Sequence, residues 1–167
     1  MERLDYPSVL VHAASGSHEA LFALLAGRLQ TSIGFELFTV LIADPSERQL
    51  RRIYSTDVTA YPPGLADRVE PSAWFDQLFR KKEPIVAKDR EEIASWLPNY
   101  DGFEGTDFGA LVNYPVVADD QTIGILNLTD RAGRYDPDTP ARIASETVLC
   151  SMAISAFLSQ SGRSGKD

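Results

Sequence analysis

Asn113, Asn127 and Thr129 fall where strand alternation would gather polar groups among aliphatic ones. Residues 110–118 and 121–129 read as two strands joined by Asp119-Asp120. A period of two places Leu111 and Asn113 beside Ile125, Asn127 and Thr129 on one face. Val112, Tyr114, Val116, Leu126 and Leu128 fall on the other, a mostly apolar surface suited to helices. Amides and a hydroxyl on an aliphatic floor can donate and accept, and so orient a small organic molecule. The same asparagines can instead satisfy loop backbone, because buried polar groups must find partners. The sequence leaves both roles open.

Arg52 and Tyr54 are two apart in the segment 49–55, and alternation assigns them one face. An arginine there can clamp a carboxylate or phosphate through two N–H groups, or it can be a solvated residue of an edge strand. Catalytic groups are scarcer. The histidines His12 and His18 flank the start of the first helix, away from the candidate floor, and no nucleophile, base and orienter converge. No enzymatic activity and no cofactor are expected. The single cysteine, Cys150, excludes an internal disulfide and a zinc site built from cysteine pairs. No metal is expected.

The 167 residues suit one domain, read as 1–160 with a polar tail at 161–167. A composition of 44% hydrophobic and 24% charged residues can fill one core. The net charge of −8 repels phosphate backbones and anionic lipid, so neither nucleic acid nor a membrane is expected as a partner. Arg51-Arg52 and Arg80-Lys81-Lys82 are short runs that read as solvated faces. The beginning, Met1-Glu2-Arg3-Leu4-Asp5, lacks the basic end and apolar run of a signal peptide, and no stretch holds 18 uninterrupted apolar residues. A reducing cytoplasm is the expected location.

The elements that must position these side chains follow from periodicity. A helix is read over 17–32 from Leu21, Leu24, Leu25 and Leu29, stopped at Gly34. Residues 35–43 read as a central strand, apolar on both faces, then a turn at 44–47 and the strand 49–55. Residues 56–71, with Tyr61-Pro62-Pro63-Gly64, read as a loop or lid, and 72–80 as a short helix with Trp74 on its apolar stripe. A strand at 85–87 precedes a helix capped by Asp89, with Glu92 three residues on, that carries Trp96 and ends at Pro98. The stretch 99–109 is irregular. A long helix over 137–159 closes the chain, apolar on more sides than a sheet can cover. The fold class is α+β, an antiparallel sheet of about five to six strands.

Leu111-Val112-Asn113-Tyr114-Pro115-Val116, a short turn, Ile123-Gly124-Ile125-Leu126-Asn127-Leu128, then Gly133-Arg134-Tyr135 before the last helix, resemble the C-terminal half of a GAF domain. The order of elements extends the resemblance over nearly the whole chain, although a tyrosine stands where the family has a small apolar residue before the proline. The resemblance implies terminal helices on one sheet face and, on the other, a pocket roofed by short helices and loops. Tyr54, Tyr61, Trp74, Trp96, Tyr100, Phe103 and Phe108 fall in the segments that would roof it, with simple core packing the alternative for each.

Family chemistries can be weighed by what is missing. Covalent bilin attachment and free methionine sulfoxide reduction need pocket cysteines, and Cys150 sits on the last helix. The Asn-Lys-Phe-Asp-Glu motif of cyclic-nucleotide binders does not follow Asn127, and haem would want a pocket histidine. What remains is a bacterial-type sensory domain for a small polar or partly aromatic metabolite. A homodimer through the terminal helices is expected, with the signal passed to a separate output protein, since no kinase, cyclase or DNA-binding segment is read in the chain. The rival expectation is a collapsed pocket serving only dimerisation or scaffolding, and an uncharacterised enzyme is the third alternative.

Overall fold

The structure is a computed structural model that describes residues 17–44, 48–64 and 66–161. The lead-in before Ser17, most of the turn after Asp44 and the tail beyond Ser161 lie outside the described residues. Helix α1 spans His18–Ser32. The Ser17 hydroxyl accepts from the Ala20 amide at 3.2 Å, which satisfies one of the helix's first N–H groups. Leu21, Phe22, Leu25 and Leu29 are its buried stripe. Gly34, at φ 84°, turns the chain away while its N–H bonds Leu29 O at 3.0 Å.

Strands β1 (Leu37–Asp44), β2 (Gln49–Ser55), β3 (Ala66–Arg68), β4 (Ile85–Ala87), β5 (Ala110–Ala118) and β6 (Gln121–Asp130) form one sheet in the order β3-β2-β1-β6-β5-β4. Every neighbouring pair is antiparallel. β3 is a correction to the loop read over 56–71. Its three residues are all exposed and two are charged, so no alternation marks it, and as an edge its charge discourages further pairing. β1 sends Phe38, Val40 and Ile42 to the helix side and Leu37, Thr39 and Leu41 to the other. Asp119 and Asp120 both adopt left-handed φ (48° and 57°), the two-residue turn whose twist suits a hairpin.

A bulge in β2 corrects the shared face assigned to Arg52 and Tyr54. Val40 pairs with Tyr54 and Leu41 with Arg52, so Ile53 is the additional residue and alternation restarts after it. Arg52 stays with Leu50 on one face, while Ile53 and Tyr54 both pack on the helix side.

Between β3 and β4, helix α2 (Ala73–Phe75) is capped by Ser72 and continues as a π-helical turn over Asp76–Arg80. The Thr122 hydroxyl of β6 donates to Leu78 O at 2.7 Å and anchors that turn to the sheet. Helix α3 (Arg90–Trp96) follows β4; Asp89 accepts from the Glu92 amide, and Glu92 accepts in return from the Lys88 amide. The long helix read over 137–159 is three pieces. α4 (Thr139–Ile143) and α5 (Thr147–Ser161) are separated by a 3₁₀ turn at Ala144–Glu146. By length and composition the run Thr139–Ser161 is apolar enough to cross a membrane (mean hydropathy 1.3). Here Ile143, Leu149, Cys150, Ala153 and Ile154 instead occupy the core between helices and sheet. A second core, on the opposite sheet face, joins Leu78, Ile85, Ile93, Leu111 and Ile125.

Gly124 marks where β6, β1 and α5 come closest. A Cβ there would lie 2.5 Å from Leu41 O and 2.8 Å from Ile154 Cδ1. A carbonyl held in the sheet cannot retreat cheaply, so Gly124→Ala should lower unfolding free energy by about 1–3 kcal/mol. Urea denaturation checks this; an unchanged midpoint would show that the sheet and α5 give way freely.

Candidate functional site

On the sheet face opposite α1 and α5 lies a cavity of about 700 Å³, walled by β1, β2, β5 and β6 and by the segments around α2 and α3. Its floor is a chain of side-chain hydrogen bonds. The Trp74 indole N–H donates to Asn113 Oδ1 at 2.9 Å, Asn113 Nδ2 donates to Asn127 Oδ1 at 2.7 Å, and Asn127 Nδ2 donates to Thr39 Oγ1 at 3.2 Å. The register explains the chain, since Asn127 stands opposite Asn113 on one side and Thr39 on the other. Neither asparagine side chain therefore serves loop backbone; they bond across strands. Thr129 and Leu111 complete the floor.

The walls are aromatic and carry one buried cationic edge. Arg52 and Tyr61 line one side, with the guanidinium carbon 5.7 Å from the tyrosine ring centre. Arg52 Nη1 donates to Pro62 O at 3.2 Å, while its Nε is buried without a hydrogen-bond partner. The Tyr61 hydroxyl donates to Gly102 O at 2.9 Å, tying the loop after β2 to the loop before β5. A Cβ at Gly102 would sit 2.3 Å from the end of the Tyr100 ring, so a larger residue there would push that ring aside. Arg90 of α3 holds the same loop through Thr106 O at 2.6 Å. Trp96, Tyr100 and Phe103 line the cavity from this side. Burial raises the Tyr100 phenol above its ordinary range, reinforced by neighbouring Tyr61. It raises the Tyr61 phenol too, with Asp57 adding and Arg52 opposing. Both hydroxyls therefore stay neutral donors near neutrality.

The cavity thus gathers Arg52, Tyr61, Trp74, Trp96, Tyr100, Phe103, Leu111, Asn113, Asn127 and Thr129. Phe108 stands behind it, edge-on to Phe103 and against Tyr61. Tyr54 is on the wrong side: its ring stacks on Phe22 at 5.0 Å and touches Phe38 in the helix-side core. Sequence reasoning missed Thr39, which alternation in β1 and its place opposite Asn127 could have found. It also missed Asp67, because β3 itself was not seen.

Among the described residues no three His, Cys, Asp or Glu side chains cluster as a metal site. His18 is outside the cavity, where its Nδ1 bonds Gln160 Oε1 at 2.5 Å and its ring meets Phe157. Cys150 is fully buried in the helix-side core, and burial pushes its thiol up to about 12. It should therefore resist an aromatic disulfide reagent at pH 8 in the folded protein and react once urea unfolds the chain. Fast reaction of the native protein would contradict this burial.

The model of a GAF domain family matches residues 15–145. Among curated proteins, no sequence gives a significant match. Among solved structures, the GAF domain of a two-component sensor histidine kinase from Bacillus halodurans is similar with a TM-score of 0.68 at 13% identity, covering 87% of this chain and 98% of that one. The GAF domain of a phosphoenolpyruvate-protein phosphotransferase from Coxiella burnetii gives 0.63 at 13%, covering 96% and 98%. A free methionine-R-sulfoxide reductase from Neisseria meningitidis, solved with its substrate, gives 0.61 at 14%, covering 90% and 86%. At such identities the likeness is one of fold. With the family model spanning most of the sequence, the six-stranded antiparallel sheet and its two helical layers are those of a family member: this chain belongs to the GAF domain family.

Proposed function

We propose that this chain is a cytoplasmic sensory or regulatory domain that binds a small organic molecule in the cavity over β1, β2, β5 and β6. It signals through a homodimer formed by its terminal helices to a separate output protein. The supporting observation is the cavity itself: about 700 Å³ is in the range of small-molecule sites, and its apolar walls carry a few convergent polar groups. α5 carries no charged residue in a chain of net charge −8, and it leaves Val148 62% and Leu158 49% exposed. A second copy would cover that surface.

The scaffold reading has one specific observation in its favour. Asn113 is bonded on both sides by protein groups, as it would be in a core closed to ligand. The cavity volume weighs more, because a floor already wired together is pre-organised and not filled.

The test is native mass spectrometry of the purified protein, followed by denaturing release of small molecules. The expected result is a dimer mass with a stoichiometric adduct. If the protein is apo, a panel of metabolites should contain one that raises the melting temperature. An apo protein that no panel member stabilises would sink the ligand reading and leave the scaffold.

A further inference from the structure

The geometry points to an organic carboxylate of low net charge as the ligand, held by the side-on edge of Arg52; this rests on the ligand-binding role proposed for the cavity. Arg52 and Arg68 are the arginines that line it. Arg68 is exposed and lies 3.7 Å from Glu70. Arg52 meets no carboxylate among the described residues. Its Nη1 is committed to Pro62 O, but Nε is buried with no partner, and Nη2 meets no acceptor among the described residues.

The unmatched pair is informative. Nε–H and Nη2–H leave a guanidinium side by side and nearly parallel, at the spacing of two carboxylate oxygens. Buried donors in folded proteins are nearly always satisfied. A solvated edge-strand arginine would keep Nε in water, whereas this one lines the cavity with Nε covered, so a carboxylate engages it as the guanidinium turns that edge outward. The bulge at Ile53 sends both Ile53 and Tyr54 to the helices and leaves Arg52 the last residue of β2 that lines the cavity.

The rest of the lining narrows the class. Asp67 and Asp101 share the cavity and have no cationic partner among the described residues. They repel a polyanion, and they tolerate a monoanion or a zwitterion whose ammonium faces them. Leu41, Leu111 and Trp74 offer an apolar bed beyond the guanidinium.

The test uses a matched pair, 3-phenylpropanoate and 3-phenylpropanamide, which differ in charge at one end. Nitrogen-15 NMR follows the Arg52 Nε–H signal, assigned with Arg52→Lys, and the Trp74 indole signal, assigned with Trp74→Phe. The acid should move both signals saturably and bind at least about tenfold more tightly than the amide. Arg52→Gln should erase that preference, and Arg52→Lys should keep part of it. Equal binding of acid and amide, no response to the acid, tighter binding of inorganic phosphate, or an equal response to sodium chloride would each overturn the assignment. Binding of the amide alone removes the anion but keeps the ligand site. Binding of neither, together with a metabolite panel that stabilises nothing, removes the ligand site itself.

Discussion

Arg28→Ala should cost about 3–5 kcal/mol of unfolding free energy, the range for stranding one member of a buried ion pair. Arg28 Nε and Nη2 grip the two carboxylate oxygens of Glu146 at 2.7 and 2.8 Å. The Glu146 side chain is only 5% exposed, against 18% for Arg28. That asymmetry predicts an order. Removing Arg28 leaves a carboxylate that cannot reach water, whereas Glu146→Ala leaves an arginine whose long stem can move its head outward. Arg28→Ala should therefore be the more damaging, and the pair Arg28→Met with Glu146→Leu should recover much of the loss. Urea denaturation of the three variants decides it. Equal, small losses would mean that the pair is solvated in practice and that apolar packing alone joins α1 to the last helices.

This pair also shows where the sequence stopped being informative. Glu146 falls inside a helical pattern, and nothing in its neighbours announces a buried carboxylate or a 3₁₀ turn. The buried carboxylate answers to Arg28 of α1, which lies 118 residues earlier in the chain. The β5–β6 hairpin was legible because alternation and a two-residue turn are local signals, and they placed Asn113, Asn127 and Thr129 correctly on one face. The same rule failed for Tyr54 because one bulged residue, Ile53, resets the alternation without any glycine or proline to mark it. β3 was invisible for a related reason: three exposed residues paired to β2 carry no apolar period. Local periodicity thus located the floor, while the bulge and the edge strand, both tertiary in origin, decided which groups stand in the wall.

The consequence for function is that the floor and the wall can be tested separately. The wall holds Arg52, which has donors to spare. The floor holds a relay whose members are already partnered, and it couples the roof helix α2 to the central strand β1 through Trp74, Asn113, Asn127 and Thr39. A ligand that bonds Asn113 or Asn127 must exchange one of these bonds or use the second amide N–H or the second oxygen lone pair of either residue. Movement of Trp74 would follow from the first route and not from the second.

Asn113→Leu is the sharpest probe of that coupling, and it should destabilise the protein by about 2–4 kcal/mol because it orphans two groups at once. Asn113 is 7% exposed and Trp74 8%, so the indole N–H loses its acceptor where water reaches poorly, and Asn127 Oδ1 loses its donor. Trp74 should then swing toward the cavity to find water, which tryptophan fluorescence would report as a red shift, with Trp96→Phe as background to isolate the signal. Asn113→Asp keeps the acceptor for Trp74 but replaces the donor with a carboxylate oxygen facing Asn127 Oδ1, so it should hold Trp74 in place while lowering stability through a buried charge. The two variants separate the roof from the floor. If Asn113→Leu loses stability but a bound ligand still raises its melting temperature by the original amount, Asn113 is a structural peg and recognition belongs to Arg52 and the aromatic wall. If the ligand's stabilisation disappears with the red shift, the position of Trp74 is itself what the ligand reads.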